Sequence, residues 1–422
     1  MIAGALREHR FALYLVGNTS SFVGGQAELL AAPWLALHLP GSPVSAGLTG
    51  LFRAVPILLV VPFGGAIADR VSPRRLLIVT QACAAIASAA LAVLAAAGLI
   101  ELWHVYVQVL VQGVIAGFDT TARQAFFPRL VPKDRLERAV TYNFTSTRVG
   151  MLSGPVLGGV ALATPLGATG VFAIAAAGSM AMLAVSAVLR ESPLARPAAR
   201  GATLARDMLA GFRFALGSPV IRGLLLFTSV WTVLGQNNAL LAIFAEDVLR
   251  VGPTALGLMV SAITAGQLAG GSLLIWWGDV ARRGRLLLAA GAAYALVMLL
   301  FVTISVLPLA IVLLAGAGVL AAVGLASGHA MLQREAPDDM RGRVMSIQLM
   351  LTRGGIPLSW AVTGSLAGWL GAPMALALSA FAILTAAIAV GALSRSLWAY
   401  GADENRRVPS PKGGRLGWGR RR

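Results

Sequence analysis

The sequence has one cysteine, Cys83, two lysines, Lys133 and Lys412, and few charges of any kind, 12% of its 422 residues. A single cysteine cannot close an internal disulfide, and it says nothing of the compartment. Ordinary soluble domains are about a quarter charged. A chain with 12% charged and 57% hydrophobic residues is therefore no soluble globule, because a core of this length could not hide so much apolar surface. Also missing are a phosphate-binding loop, an HExxH helix and a nucleophile elbow. That pattern predicts no enzyme, no cofactor and no metal site, and any uphill work must then draw on an ion gradient.

What is present is a succession of apolar runs of about twenty residues, the length a helix needs to cross about 30 Å of hydrocarbon. The runs fall at 11–39, 46–68, 76–98, 103–121, 139–163 and 169–189. After a polar connector they resume at 223–245, 255–278, 286–306, 309–332, 344–367 and 373–393. The formal charge of +17 invites a nucleic-acid surface, but the charges sort by loop parity. Arg250 alone falls on the opposite side, and Arg53, Arg148 and Arg353 fall inside spans. Such a split places both termini in the cytoplasm and predicts no nucleic-acid partner.

The chain is written twice in the same orientation, a fold-level signal. Asp69, Arg75 and Leu76 match Asp279, Arg285 and Leu286, while Pro132, Asp134, Arg138 and Gly150 match Pro337, Asp339, Arg343 and Gly355. The expected architecture is all-α and integral to the membrane, with 12 transmembrane helices in two six-helix bundles related by pseudo-two-fold symmetry. The divisions are an N-terminal bundle (1–189), a cytoplasmic connector (190–222), a C-terminal bundle (223–394) and a disordered basic cytoplasmic tail (395–422). In the connector, Leu204, Met208, Phe212 and Leu216 recur every four residues, suggesting an amphipathic helix on the membrane surface.

Several stretches resemble the major facilitator superfamily. Gly64-Gly65-Ala66-Ile67-Ala68-Asp69-Arg70, ending in Arg74-Arg75, looks like its loop signature, with Ser72-Pro73 where many members have Gly-Arg. Gly150, Gly154, Pro155, Gly158 and Gly159 form a GxxxGPxxGG that the resemblance associates with drug/proton antiporters. Phe118-Asp119, Ala122-Arg123-Gln124-Ala125-Phe126, Leu130-Val131-Pro132, Ala32-Pro33-Trp34-Leu35 and Gly211-Phe212-Arg213-Phe214 read like the branch of enterobactin-type siderophore exporters and macrolide efflux proteins. The relay arginine that many drug/proton antiporters of the superfamily carry three residues before Gln-Gly is absent; Val109 stands there, before Gln112-Gly113.

The costly residues are polar ones inside spans. Asn18, Ser21, Gly25, Glu28 and Ala32 step by three and four, a polar or small face suited to a wet cavity. Glu28 is the only acid inside span one, and a desolvated carboxyl suits proton binding and release. Arg53, at comparable depth, is a partner for it, either in coupling or as a fixed structural pair. Asp119 and Arg123, four apart, form either a gate pair or an ordinary surface pair. Gly65, Asp69, Arg70, Arg74, Arg75 and Asp279 are the cytoplasmic gate-loop candidates; the arginines either latch the halves and bind headgroups or merely set topology. Gly150, Gly154, Pro155, Gly158 and Gly159 allow close helix approach, as a leak-tight seam or as plain packing. Substrate-cavity candidates are Asn18, Gln108, Gln112, Gln236, Asn237, Gln267, His329 and Gln348.

Together these predict a monomeric secondary transporter of the bacterial cytoplasmic membrane that exports a small organic molecule, a drug, siderophore or secondary metabolite, against protons. Membrane lipids are its other partners. Uptake by the same fold, or a non-transporting subunit that docks a soluble enzyme through its tail, are the alternatives.

Overall fold

The computed structural model describes residues 2–39, 42–189, 204–235, 238–278 and 282–393. Among them the chain is helical, with no strand. The first group is α1 (Ile2–His38), α2 (Pro43–Arg70), α3 (Pro73–Ala96), α4 (Leu102–Phe126), α5 (Leu136–Ala163) and α6 (Gly167–Val188). Then come α7 (Leu204–Gly217), α8 (Pro219–Gly235), α9 (Asn238–Asp247), α10 (Pro253–Trp277), α11 (Arg283–Val302), α12 (Leu307–Glu335), α13 (Asp338–Leu370) and α14 (Ala372–Leu393). The expected basic tail, the first part of the connector, Gln236, Asn237 and Asp279 lie outside the described residues.

Among the described residues, nine helical stretches are long and apolar enough to cross a membrane. α1, α5 and α13 are not among them, although they have 37, 28 and 33 residues. Length is not what disqualifies them; they carry Asn18 and Glu28, Ser146 and Arg148, and Gln348 and Arg353, which lower their mean hydropathy. The run expected as one span at 223–245 lies within one apolar stretch, Pro219–Asp247, described as α8 up to Gly235 and α9 from Asn238.

The expected loop after Asp69 is shorter than its sequence suggests. α2 continues through Arg70, so only Val71 and Ser72 separate it from α3. Ser72 caps α3 by accepting from the Arg75 backbone N–H at 3.3 Å, and Pro73 opens the helix. A hydroxyl N-cap followed by proline at the first helical position suits both the free N–H groups and the fixed proline φ. α7 forms where the four-residue repeat predicts a helix, and it docks on α13. Its contact face is Gly211 and Ala215, while Leu216 of the expected apolar stripe is 60% exposed.

α1 to α6 pack among themselves, and so do α8 to α14. The two groups meet chiefly along two seams, α2 on α13 and α5 on α10. Their interiors differ. The second group has the largest continuous apolar core, including Phe227, Trp231, Phe244, Phe301 and Leu314. The first group has smaller apolar clusters around Tyr14, Ala27 and Val105. Much of its remaining interior is polar.

Candidate functional site

That polar interior lies between α1, α3 and α4, in two layers. In the first, Arg123 Nε donates to Asp119 Oδ2 at 2.6 Å, with side chains 9% and 16% exposed. The guanidinium also reaches Asn18 Oδ1 at 2.7 Å and Ser21 Oγ at 2.8 Å on α1. Asp119 accepts from Gln81 at 2.7 Å and Thr80 at 3.2 Å on α3. Ser21 donates to Gln81 at 3.1 Å, and Asn18 passes the chain to α5 through Ser146 at 3.2 Å and Thr147 at 3.1 Å. Arg123 is thus buried within α4, which runs beyond the expected end of that span at residue 121. The surface-pair alternative does not describe it. A buried pair survives only when its remaining donors and lone pairs are met, and side chains of α1 and α3 meet them here.

The second layer is built on Glu28, which is 6% exposed. Its carboxylate accepts from Gln108, from Gln112 at 3.0 Å, and from Ser88 at 3.4 Å. Its bonding partners are amides and a hydroxyl. Arg53, expected beside it, makes neither a hydrogen bond nor an ion pair with it among the described residues. Arg53 lies within electrostatic reach of Glu28 and of Arg353 on α13.

The layers are related by spacing. Ser21 and Glu28, Gln81 and Ser88, and Gln112 and Asp119 are each seven residues apart. At 1.5 Å per residue, two turns separate the layers by about 10 Å on all three helices at once. Between them on α1, Gly25 is exposed, with nothing within 4 Å of where a Cβ would stand. Of the predicted face of α1, Gly25 borders open space, whereas Asn18, Glu28 and Ala32 are buried. Gln81 and Ser88 were not anticipated. With Thr80 they are the uncharged polar side chains of α3, and their spacing repeats that of the other two helices.

The gate-loop arginines do different jobs. Arg74 donates to the carbonyls of Ser186 at 2.9 Å and Ala187 at 2.5 Å, at the C-terminal end of α6. A cation there complements the helix dipole, so Arg74 ties α3 to α6 within one group. Arg75 is exposed.

The glycine motif of α5 faces two ways. A Cβ on Gly150, Gly154 or Gly158 would meet α1 at Phe22, Gln26 or Ala27. One on Gly159 would meet the Pro253 carbonyl of α10, and conversely one on Gly257 would meet the Pro155 carbonyl. Ser261 donates to the Leu152 carbonyl across this seam at 2.7 Å. The other seam closes in the same manner: a Cβ on Gly47 of α2 would stand 2.8 Å from Gly364 Cα and 2.8 Å from the Trp360 carbonyl on α13. Both seams are tight near the end of the molecule where α1 finishes at His38. There His38 Nε2 lies 3.4 Å from Glu246 of α9.

In the second group, Gln348 Nε2 is 3.2 Å from His329 Nε2 and 3.4 Å from Thr352. Gln267 lines a separate, water-sized hollow of about 30 Å³ with Asn238 and Tyr294.

The transmembrane secretion effector family matches residues 3–411. The chain belongs to that family, within the major facilitator superfamily. It is 28% identical over 364 residues to the multidrug efflux pump Tap of Mycolicibacterium fortuitum, covering 84% of this chain and 88% of that one. It is 29% identical over 341 residues to the enterobactin exporter EntS of Escherichia coli, covering 81% and 80%. Its fold is that of a mutant form of the nucleoside transporter NupG, with a TM-score of 0.75 at 15% identity over 91% of this chain and 99% of that one. A bacterial homologue of the lysosomal transporter Spinster, inward-facing and unoccupied, superposes with a TM-score of 0.69 at 14% identity, covering 96% and 99%. The chain is a membrane transporter and not an enzyme.

Proposed function

We propose that the protein is a proton-driven exporter of a small organic molecule, with twelve crossings in two six-helix bundles that rock about a central site. It works as a monomer in the bacterial inner membrane with both termini in the cytoplasm. The carrying observation is Glu28, a carboxylate buried mid-span among amides and a hydroxyl, with no cation bonded to it among the described residues. A buried charge without a paired cation is costly, so such a group takes up and loses a proton as its surroundings change. When the site opens to the acidic outside, Glu28 gains a proton; when it opens to the cytoplasm, it gives one up. Each change of charge alters the bonds it accepts from α3 and α4. Asp119 and Arg123 hold the same three helices in register at the layer below. Gly65, Asp69, Arg70 and Asp279 serve the cytoplasmic closure.

The names of Tap and EntS support outward movement of drug-like or siderophore-like cargo. In this reading the sealed His38 end is the outer one, and the central site opens inward.

The experiment is transport in inverted vesicles by Glu28→Gln. Uphill, proton-dependent accumulation is lost while substrate binding remains. Unchanged accumulation removes Glu28 from coupling. Deleting 395–422 spares export in this reading and abolishes function if the chain instead docks an enzyme through its tail.

A further inference from the structure

Three arginines lie inside spans, Arg53 on α2, Arg148 on α5 and Arg353 on α13. A guanidinium at membrane depth is costly and is kept where it faces a wet cavity or a partner. Arg148 has a partner, since its guanidinium stands 4.8 Å from the centre of the Phe144 ring. Arg353, its counterpart in the second repeat, has none. Neither it nor Arg53 makes a hydrogen bond, ion pair or ring contact with another described residue.

The backbone places these two arginines in one layer. A Cβ on Gly50 of α2 would collide with the Pro357 carbonyl of α13. The two helices run antiparallel there, because a Cβ on Gly47 would meet Gly364 and one on Gly354 would meet Leu58. Arg53 follows Gly50 by three residues and Arg353 precedes Pro357 by four. Each therefore lies about one turn from that contact, on the side away from the sealed His38 end. A Cβ on Gly113 of α4 would stand 2.8 Å from the Arg53 carbonyl, which brings α2 beside Gln112 and so beside Glu28. Arg53 is within electrostatic reach of both Glu28 and Arg353. Arg353 is exposed, midway along the 33 residues of α13. Asp119 is already paired with Arg123, which leaves Glu28 as the acid for two arginines. Even with Glu28 ionised, the layer keeps one positive charge in excess.

We propose that Arg53 and Arg353 together bind an oxyanion of the cargo, a carboxylate, phosphate or sulfonate, held between the two helix groups. The inference rests on the transporter reading, not on which group takes the proton, and adds the charge of the molecule carried. Guanidinium forks bind such groups through paired, charge-assisted hydrogen bonds. A monoanion cancels the excess charge and ties α2 to α13, one helix group to the other. A lipid headgroup offers the same chemistry but stays at the membrane surface, whereas Arg353 is about 22 Å along the helix from the start of α13.

The test is equilibrium binding to the purified full chain in detergent at fixed pH. The probes are radiolabelled nalidixate, an aromatic monocarboxylate, and its carboxamide, which keeps the shape without the charge. Wild type binds nalidixate more tightly than the amide. Arg353→Gln and Arg53→Gln each weaken nalidixate binding by about tenfold or more and leave the amide unaffected. Arg353→Lys, which keeps the charge and loses the fork, falls between. If Arg53→Gln does not elute as a monodisperse protein, Arg353→Gln decides. Equal affinity for acid and amide, no nalidixate binding, or unchanged affinity in Arg353→Gln overturns the site. Phosphatidylglycerol added to the micelles does not compete with nalidixate; competition would assign the arginines to a headgroup and overturn the site as well. Vesicle transport by Glu28→Gln is read separately, so either reading can fail without the other.

Discussion

Gly47→Ala probes whether the seam between α2 and α13 closes and opens during the cycle. The added methyl would sit 2.8 Å from Gly364 Cα and 2.8 Å from the Trp360 carbonyl, both backbone. Carbon atoms rest at about 3.5–4.0 Å, so the helices must part by roughly an ångström or the seam must shear. No flexible side chain can yield instead. Overpacking of this kind costs about 1–3 kcal/mol, and the cost falls only on the state in which the seam is closed. The ratio of closed to open molecules then drops by about fivefold to about 150-fold. Ala46, fully buried beside the seam, is the reporter position. Cys83 is the only native thiol and is exposed, so a Cys83→Ser background is silent. In that background, Ala46→Cys reacts slowly with a water-soluble maleimide, and adding Gly47→Ala raises the rate by the same factor. An unchanged rate in a protein that still transports would mean that the backbone contact seen here is no part of the working cycle.

Other perturbations are more local. Arg123→Leu strands the Asp119 carboxylate inside the helix group and should cost about 3–5 kcal/mol of stability, read as a lower melting temperature of the purified protein; Asp119→Asn added to it restores much of the loss, and no recovery would refute the pairing. Gln108→Leu removes a donor from Glu28 and should shift the pH dependence of transport, whereas Gln108→Glu should abolish coupling by crowding two carboxylates; an unaltered profile in both would detach Gln108 from the site. Glu246→Gln removes the acidic partner that lies 3.4 Å from His38 at the closed end. Both side chains are more than a third exposed, so at constant pH Ala46→Cys labelling should rise at most about fivefold, and a much larger rise would make this contact the main latch.

The spacing of the small residues in α5 was enough to see a close helix contact coming, because glycine at every fourth position has few other uses in a span. It did not say that three of the glycines would face α1 and only Gly159 would cross to α10. The i,i+4 relation of Asp119 and Arg123 was equally legible, yet their burial was not, since nothing in α4 itself announces Gln81 and Thr80 on a neighbouring helix. Glu28 and Arg53 failed as a bonded pair for a related reason: counting residues from the ends of two spans gives depth, not the direction in which each side chain points. Gln81 and Ser88 could have been found by comparing spans, because their interval repeats in α1 and α4. The contact of Gly47 with Gly364 had no such signature. In a chain with 48 glycines, two more in apolar runs are unremarked until the helices are brought together.

The uneven distribution of polar groups has an evolutionary consequence. The side chains that would handle protons are wired to one another across four helices, so changing one disturbs several. The core of the other helix group is built of apolar side chains that form no such chain of bonds. Substitutions are therefore absorbed more easily there, and relatives of this protein should differ more in that group than around Glu28 and Asp119.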